Sequence, residues 1–158
     1  IDNESDILWV YDDTALPRSV SLSGPASLNI PAPTALHVSR HDEHIYLASK
    51  LNEPDADSTT LYRVSRDLDT VQELTLSGMG HITGISSDPK TDTVWAVGYI
   101  FTRMPNEVEL QRGLPSLYAD PFYTGCLAKI VSGQVEEVKS LTEMGSDMAL
   151  PVAVIGSQ

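Results

Sequence analysis

The sequence predicts an all-β chain made of four-stranded antiparallel repeats, and three observations carry the prediction. Apolar residues fall in alternating or continuous stretches of about four to eight, rich in Val, Ile, Leu, Thr and Tyr, with almost no helical periodicity. Clusters of Gly, Pro, Asn, Asp and Ser separate these stretches. The same order of stretches and turns then occurs a second time.

Strands are expected at 7–11, 19–23, 34–39, 45–50, 60–64, 70–76, 82–86, 94–101, 125–130, 135–141 and 152–155. The first is the apolar run Ile7, Leu8, Trp9, Val10, Tyr11, stopped by Asp12 and Asp13, and the second alternates Ser19, Val20, Ser21, Leu22 before Gly24 and Pro25. Val38, Ser39 and Arg40, a polar turn over 41–44, and Ile45, Tyr46, Leu47, Ala48 make a hairpin. Its counterpart is Ile85, Ser86 and Ser87, the turn over 88–92, and Val94, Trp95, Ala96, Val97. A long polar loop follows each hairpin, and after it come Leu61, Tyr62, Arg63, Val64 in one copy and Leu127, Ala128, Lys129, Ile130 in the other, so that Arg63 and Lys129 share a position. The fourth strands are Val71, Gln72, Glu73, Leu74 and Val135, Glu136, Glu137, Val138. Four units result: 1–28, the second half of a preceding repeat; 29–78, complete; 79–146, complete with a long insertion over 102–123; and 147–158, the first strand of a following one.

Four antiparallel strands on short connections, with Gly84, Ile85, Ser86, Ser87, Asp88 and Pro89 leading into Val94, Trp95, Ala96 and Val97, resemble the blades of NHL-like and quinoprotein-like members of the β-propeller superfamily. The resemblance covers nearly the whole chain and rests on hydrophobic phase and turn placement. It implies a partial β-propeller in which the first strand of each blade lines a central channel. The tryptophan-aspartate dipeptide and the paired glycine of kelch repeats are both missing, so no family within the superfamily is assigned. A closed propeller takes about four to eight blades, so other blades or chains are expected to complete the ring. The competing fold is a two-sheet β-sandwich, which loses if the two aligned units are sequential four-stranded meanders.

The net charge is -12, from 22 acidic against 10 basic residues, and it repels phosphate backbones and anionic lipid, so no nucleic acid partner is expected. The acidic residues are scattered over turns and strand ends, as on a solvated surface. Apolar runs such as 93–101 are strand-sized, well short of the roughly 20 residues of a membrane helix, and no membrane insertion is expected. The chain opens on Ile1 without a signal peptide, as expected of a processed chain or of a piece of a longer one. Cys126, the single cysteine, leaves no internal disulfide and no multi-thiolate metal site, and reads as a small buried apolar residue. The sequon at Asn3, Glu4 and Ser5, the acidic balance and the missing tryptophan-aspartate repeats point to an extracytoplasmic or secreted location.

Several residues bear chemistry. His41, Asp42, Glu43 and His44 have the composition of a metal cluster, but side chains at a hairpin tip are expected to diverge and zinc needs converging ligands. Asp55 and Asp57 stand at alternate positions, as calcium loops begin, but the loop continues into Ser58, Thr59 and Thr60 without the remaining ligands, so no cofactor is expected and calcium is the minor possibility. His81, at the start of a first strand, is the candidate acid, base or ligand at the channel mouth. The insertion over 102–123 exceeds ordinary loop lengths, and its Arg103, Arg112, Tyr118 and Phe122 are the expected partner or ligand surface. Phosphate loops, nucleophile elbows and zinc-helix motifs are absent. The expected function is therefore a non-enzymatic binding or structural propeller segment presenting loops to a protein or glycan. The resemblance also implies a rival, an enzyme of lyase-like or quinoprotein-like type with its site at the central channel and His81 within it. Calcium-stabilised adhesion through Asp55 and Asp57 is the third.

Overall fold

β-branched and aromatic residues at alternating positions favour extended backbone, because the branched side chains lose less freedom there than in a helix and pack on the pleat. In the computed structural model, which describes residues 7–12, 15–22, 27–30, 33–49, 56–102, 107 and 123–141, these stretches form ten strands. They are β1 (Ile7–Asp12), β2 (Ala15–Ser21), β3 (Pro33–Val38), β4 (Ile45–Ser49), β5 (Ser58–Val64), β6 (Val71–Ser77), β7 (His81–Ser87), β8 (Thr93–Phe101), β9 (Tyr123–Val131) and β10 (Gln134–Ser140). The protein is all-β, with sheets of two, four and four antiparallel strands in the orders β1-β2, β3-β4-β5-β6 and β10-β9-β8-β7. Both larger sheets are meanders of consecutive strands. β2 begins earlier than the sequence indicates because Pro17, a strand breaker in a central position, lies in a strand at a sheet edge beside a bulge. The stretch over 152–155 lies outside the described residues.

The two four-stranded sheets repeat in register. Ile45, Tyr46, Leu47 and Ala48 pair with Val64, Arg63, Tyr62 and Leu61, while Val94, Trp95, Ala96 and Val97 pair with Ile130, Lys129, Ala128 and Leu127. On the first strand a correction is needed. Val38 pairs with Ile45 as Ser87 pairs with Val94, so Val38 corresponds to Ser87 and not to Ile85. A slip of two residues keeps every side chain on its own face, so a hydrophobic pattern cannot detect it. Both copies also carry a bulge at the same place, between Pro33 and Ala35 and between Ile82 and Gly84. The turns agree too, since Ser39 N–H donates to His44 O at 2.9 Å and Asp88 N–H to Thr93 O at 3.0 Å.

Strand periodicity then divides each sheet between two layers. Tyr46, Ala48, Leu61, Leu74 and Leu76 of the first four-stranded sheet meet Ile82, Val94, Ala96, Cys126, Ala128 and Ile130 of the second in one buried cluster. Ile45, Leu47 and Val64, on the opposite face of the first, close over Leu8, Leu22 and Ile30 around the β1–β2 pair. Like strands meet across the layers: β3 packs on β7 and β6 on β10. The links between layers also recur. Arg18 of β2 donates to Asp67 in the β5–β6 turn at 2.9 Å, and the corresponding residue of the next sheet, Gln72 of β6, donates to Gly133 O in the β9–β10 turn at 2.9 Å.

Candidate functional site

Among the described residues the two middle strands of the second four-stranded sheet are longer than those of the first. β8 has 9 residues against 5 in β4, and β9 has 9 against 7 in β5. The extra length is built from Tyr99, Ile100, Phe101 and, across from them, Tyr123, Thr124 and Gly125. Alternation sends Tyr99, Phe101 and Tyr123 to the face turned away from the first sheet, together with His81, which pairs directly with Tyr99. The rings associate. His81 stacks on Tyr99 with centroids 4.8 Å apart and meets Phe101 edge-on at 5.8 Å, while Tyr99 lies 5.5 Å from Phe101 and 5.7 Å from Tyr123. Each of the four side chains is only partly buried, and together they stand at the base of the insertion. Such a surface offers flat, amphipathic area with few rotatable bonds.

A polar network occupies the opposite end of the first four-stranded sheet. Asp42 does not point outward as a hairpin tip predicts: its carboxylate is 10% exposed and lies 3.0 Å from Arg63 Nη2 and 3.1 Å from the Tyr46 hydroxyl. The cause is Arg63 on β5, itself 20% exposed, whose charge draws the carboxylate back over the sheet. His44 Nδ1 lies 2.7 Å from the Asp42 backbone carbonyl and 3.2 Å from Arg63 Nη2, between an acceptor and a donor. Burial pushes the Asp42 carboxyl up, but hydrogen bonds from Ser39, the His44 N–H and Arg63 outweigh it and hold the group below the usual carboxylate range. Burial first, and then the Asp42 charge, push the Tyr46 phenol up to about 12. Arg63 also reaches Gln72 Oε1 at 3.3 Å, and Gln72 holds Gly133 of the next sheet. The network thus ties a turn to a sheet and that sheet to its neighbour.

The residues singled out by the sequence separate. His81 joins the ring cluster. Arg103, Arg112, Tyr118, Phe122 and Asp55 lie outside the described residues. Asp57 precedes β5 and its backbone carbonyl accepts from Gly78 N–H at 2.8 Å. Among the described residues no group of three or more His, Cys, Asp and Glu is placed to hold a metal ion. Cys126 is 2% exposed, and its thiol donates to Gly78 O at 3.2 Å across the layer boundary. Neither the association of Tyr99 with Tyr123 nor that of Asp42 with Arg63 was anticipated from sequence, where Tyr123 was only the end of the insertion and Asp42 only part of the 41–44 cluster. The first pair had a signal, since Trp95, Val97, Tyr99 and Phe101 alternate along one face of β8; the second joins residues 21 positions apart and had none. Compared with protein-family models, curated proteins and solved structures, the chain matches none.

Proposed function

We propose that the chain is a β-propeller segment acting as a non-enzymatic, extracytoplasmic binding module, which presents the ring cluster at one end of its second four-stranded sheet to a protein or glycan partner. Consecutive meanders stacked like strand on like strand support the propeller part. The observation that carries the binding part is the partly exposed cluster of His81, Tyr99, Phe101 and Tyr123. Aromatic side chains dominate binding energy because they remove much area from water while freezing few torsions, and their faces take sugar C–H groups as readily as protein side chains.

Screening the chain against glycan and secreted-protein arrays tests this. A Tyr99→Ala, Phe101→Ala double variant is expected to weaken the selected ligand at least about tenfold, with the melting transition kept cooperative. Equal binding by the variant would remove the ring cluster from the function. The enzyme reading needs His81 to move a proton, and what packs on its ring is aromatic. A chelator that left the melting curve unchanged would dispose of calcium-stabilised adhesion.

A further inference from the structure

Among the described residues three large apolar side chains stand exposed: Trp9 at 46%, Leu36 at 41% and Val38 at 52%. Leu36 and Val38 belong to β3 and pair with Leu47 and Ile45, so they share the face that closes over the β1–β2 pair. Their neighbours on β4 and β5 are covered. They are not. The repeat shows what normally lies there, because the residues that correspond to Leu36 and Val38 in the second four-stranded sheet are Ile85 and Ser87. Ile85 packs into the cluster between the two sheets, and Ser87 Oγ is 2.7 Å from Nε2 of His37 on β3. In that layer, then, the first and second strands of the preceding sheet provide the cover. The sheet that precedes β3–β6 has only two strands among the described residues, β1 and β2. Their pairing matches β5 and β6, with Leu8 in the place of Leu61 and Arg18 in the place of Gln72, as the repeated contacts of Arg18 and Gln72 require.

We propose that the Leu36 and Val38 stripe beside β1 is a docking surface for an antiparallel β-hairpin that supplies the first and second strands of the β1–β2 sheet and completes it to four. This rests on the stacked-repeat reading above and not on ring closure. The occupant has stated chemistry. Where the same position is filled, the covering hairpin presents Ala35, His37, Tyr46 and Ala48 from β3 and β4, which are small or amphipathic residues at alternating places. A hairpin of that pattern buries two branched side chains and adds to a sheet edge, a general mode of peptide recognition.

The test is an NMR titration of the isotope-labelled 158-residue chain with a synthetic peptide of its own residues 33–49, the hairpin that covers Ile85 and Ser87. Saturable shifts at Leu36, Val38 and the β1 amides are expected, weakened at least about tenfold by Val38→Asp. Val38→Thr, polar but β-branched, replaces the aspartate if that variant unfolds, with the same direction expected. No shift at these residues, or shifts indifferent to both variants, would overturn the proposal. Broadening there that grows with chain concentration before peptide is added would make a second copy the occupant and overturn it too. Exchange protection at Tyr46, Leu61, Ala96 and Ala128 reports the two-sheet stack in the same samples. Protection without a peptide effect condemns the docking alone, and lost protection condemns the stack and the docking together.

Discussion

Asp42, Tyr46 and Arg63 show how a surface turn acquires a buried anchor. A carboxylate that gives up water must be repaid in hydrogen bonds, and Asp42 receives them from the Tyr46 hydroxyl, Arg63 and the His44 N–H. Removing the cation alone strands that carboxylate, so Arg63→Met is expected to lower unfolding stability by about 2 kcal/mol, read from denaturant melts. The pH dependence follows from two opposite shifts. Asp42 is held below its ordinary value, so its contribution is full above the unfolded carboxyl pKa of about 3.9 and is lost as pH falls through the lower folded value. Tyr46 is held up to about 12, so its contribution is full below the unfolded phenol pKa of about 10 and is lost as pH rises through the folded one. Melts of Tyr46→Phe are therefore expected to lose less stability than the parent between about pH 10 and 12, and a parallel decline would contradict the assignment. None of this was visible in the sequence, where Asp42 stood in a polar turn and Arg63 on a strand, because a contact between separate strands depends on register.

Each repeat depends on turns and bulges that place its strands. Ser132 and Gly133 have φ of 50° and 70°, the left-handed pair that a two-residue hairpin loop requires, and a Cβ on Gly133 would meet the Arg63 guanidinium at 3.0 Å. Gly133→Ala is expected to cost about 1–2 kcal/mol, with the loss reduced when Arg63 is also shortened, as a double-mutant cycle would show. At Gly98 the reason is space. A Cβ there would sit on the His81 backbone carbonyl, beside the bulge between Ile82 and Gly84. Gly98→Ala should lower stability by about 2–3 kcal/mol in thermal melts. The strands themselves were legible, because alternating Val, Ile, Leu and Tyr state both the extended backbone and the buried face. The bulges were not, since an extra residue shifts the pattern only locally, and the correspondence of Val38 with Ser87 was hidden by the period of two.

The layers as a whole follow from the same periodicity. A sheet with apolar residues on both faces must be covered on both, and in the first four-stranded sheet β7–β10 cover one face while β1–β2 cover the β4 and β5 part of the other and leave Leu36 and Val38 of β3 exposed. Sequence repetition indicated that two similar units exist; that they stack like strand on like strand was not legible in it, because either orientation would bury the same residues. The ring cluster was half legible: His81 was singled out for its imidazole, whereas its setting among Tyr99, Phe101 and Tyr123 depends on pairing across β7, β8 and β9. Cys126 reports the cohesion of the layers, since its thiol lies at their boundary. Its labelling by a thiol reagent should be slow in the native chain and rise with denaturant only as the sheets separate. The most direct test of the stacked repeat is a nuclear Overhauser spectrum of the native chain. The account predicts cross-peaks between His37 and Ser87 on the first strands, between Gly78 and Val138 near the fourth, and between Gln72 and Gly133. Cross-peaks joining β3 to β10 in place of these would contradict it.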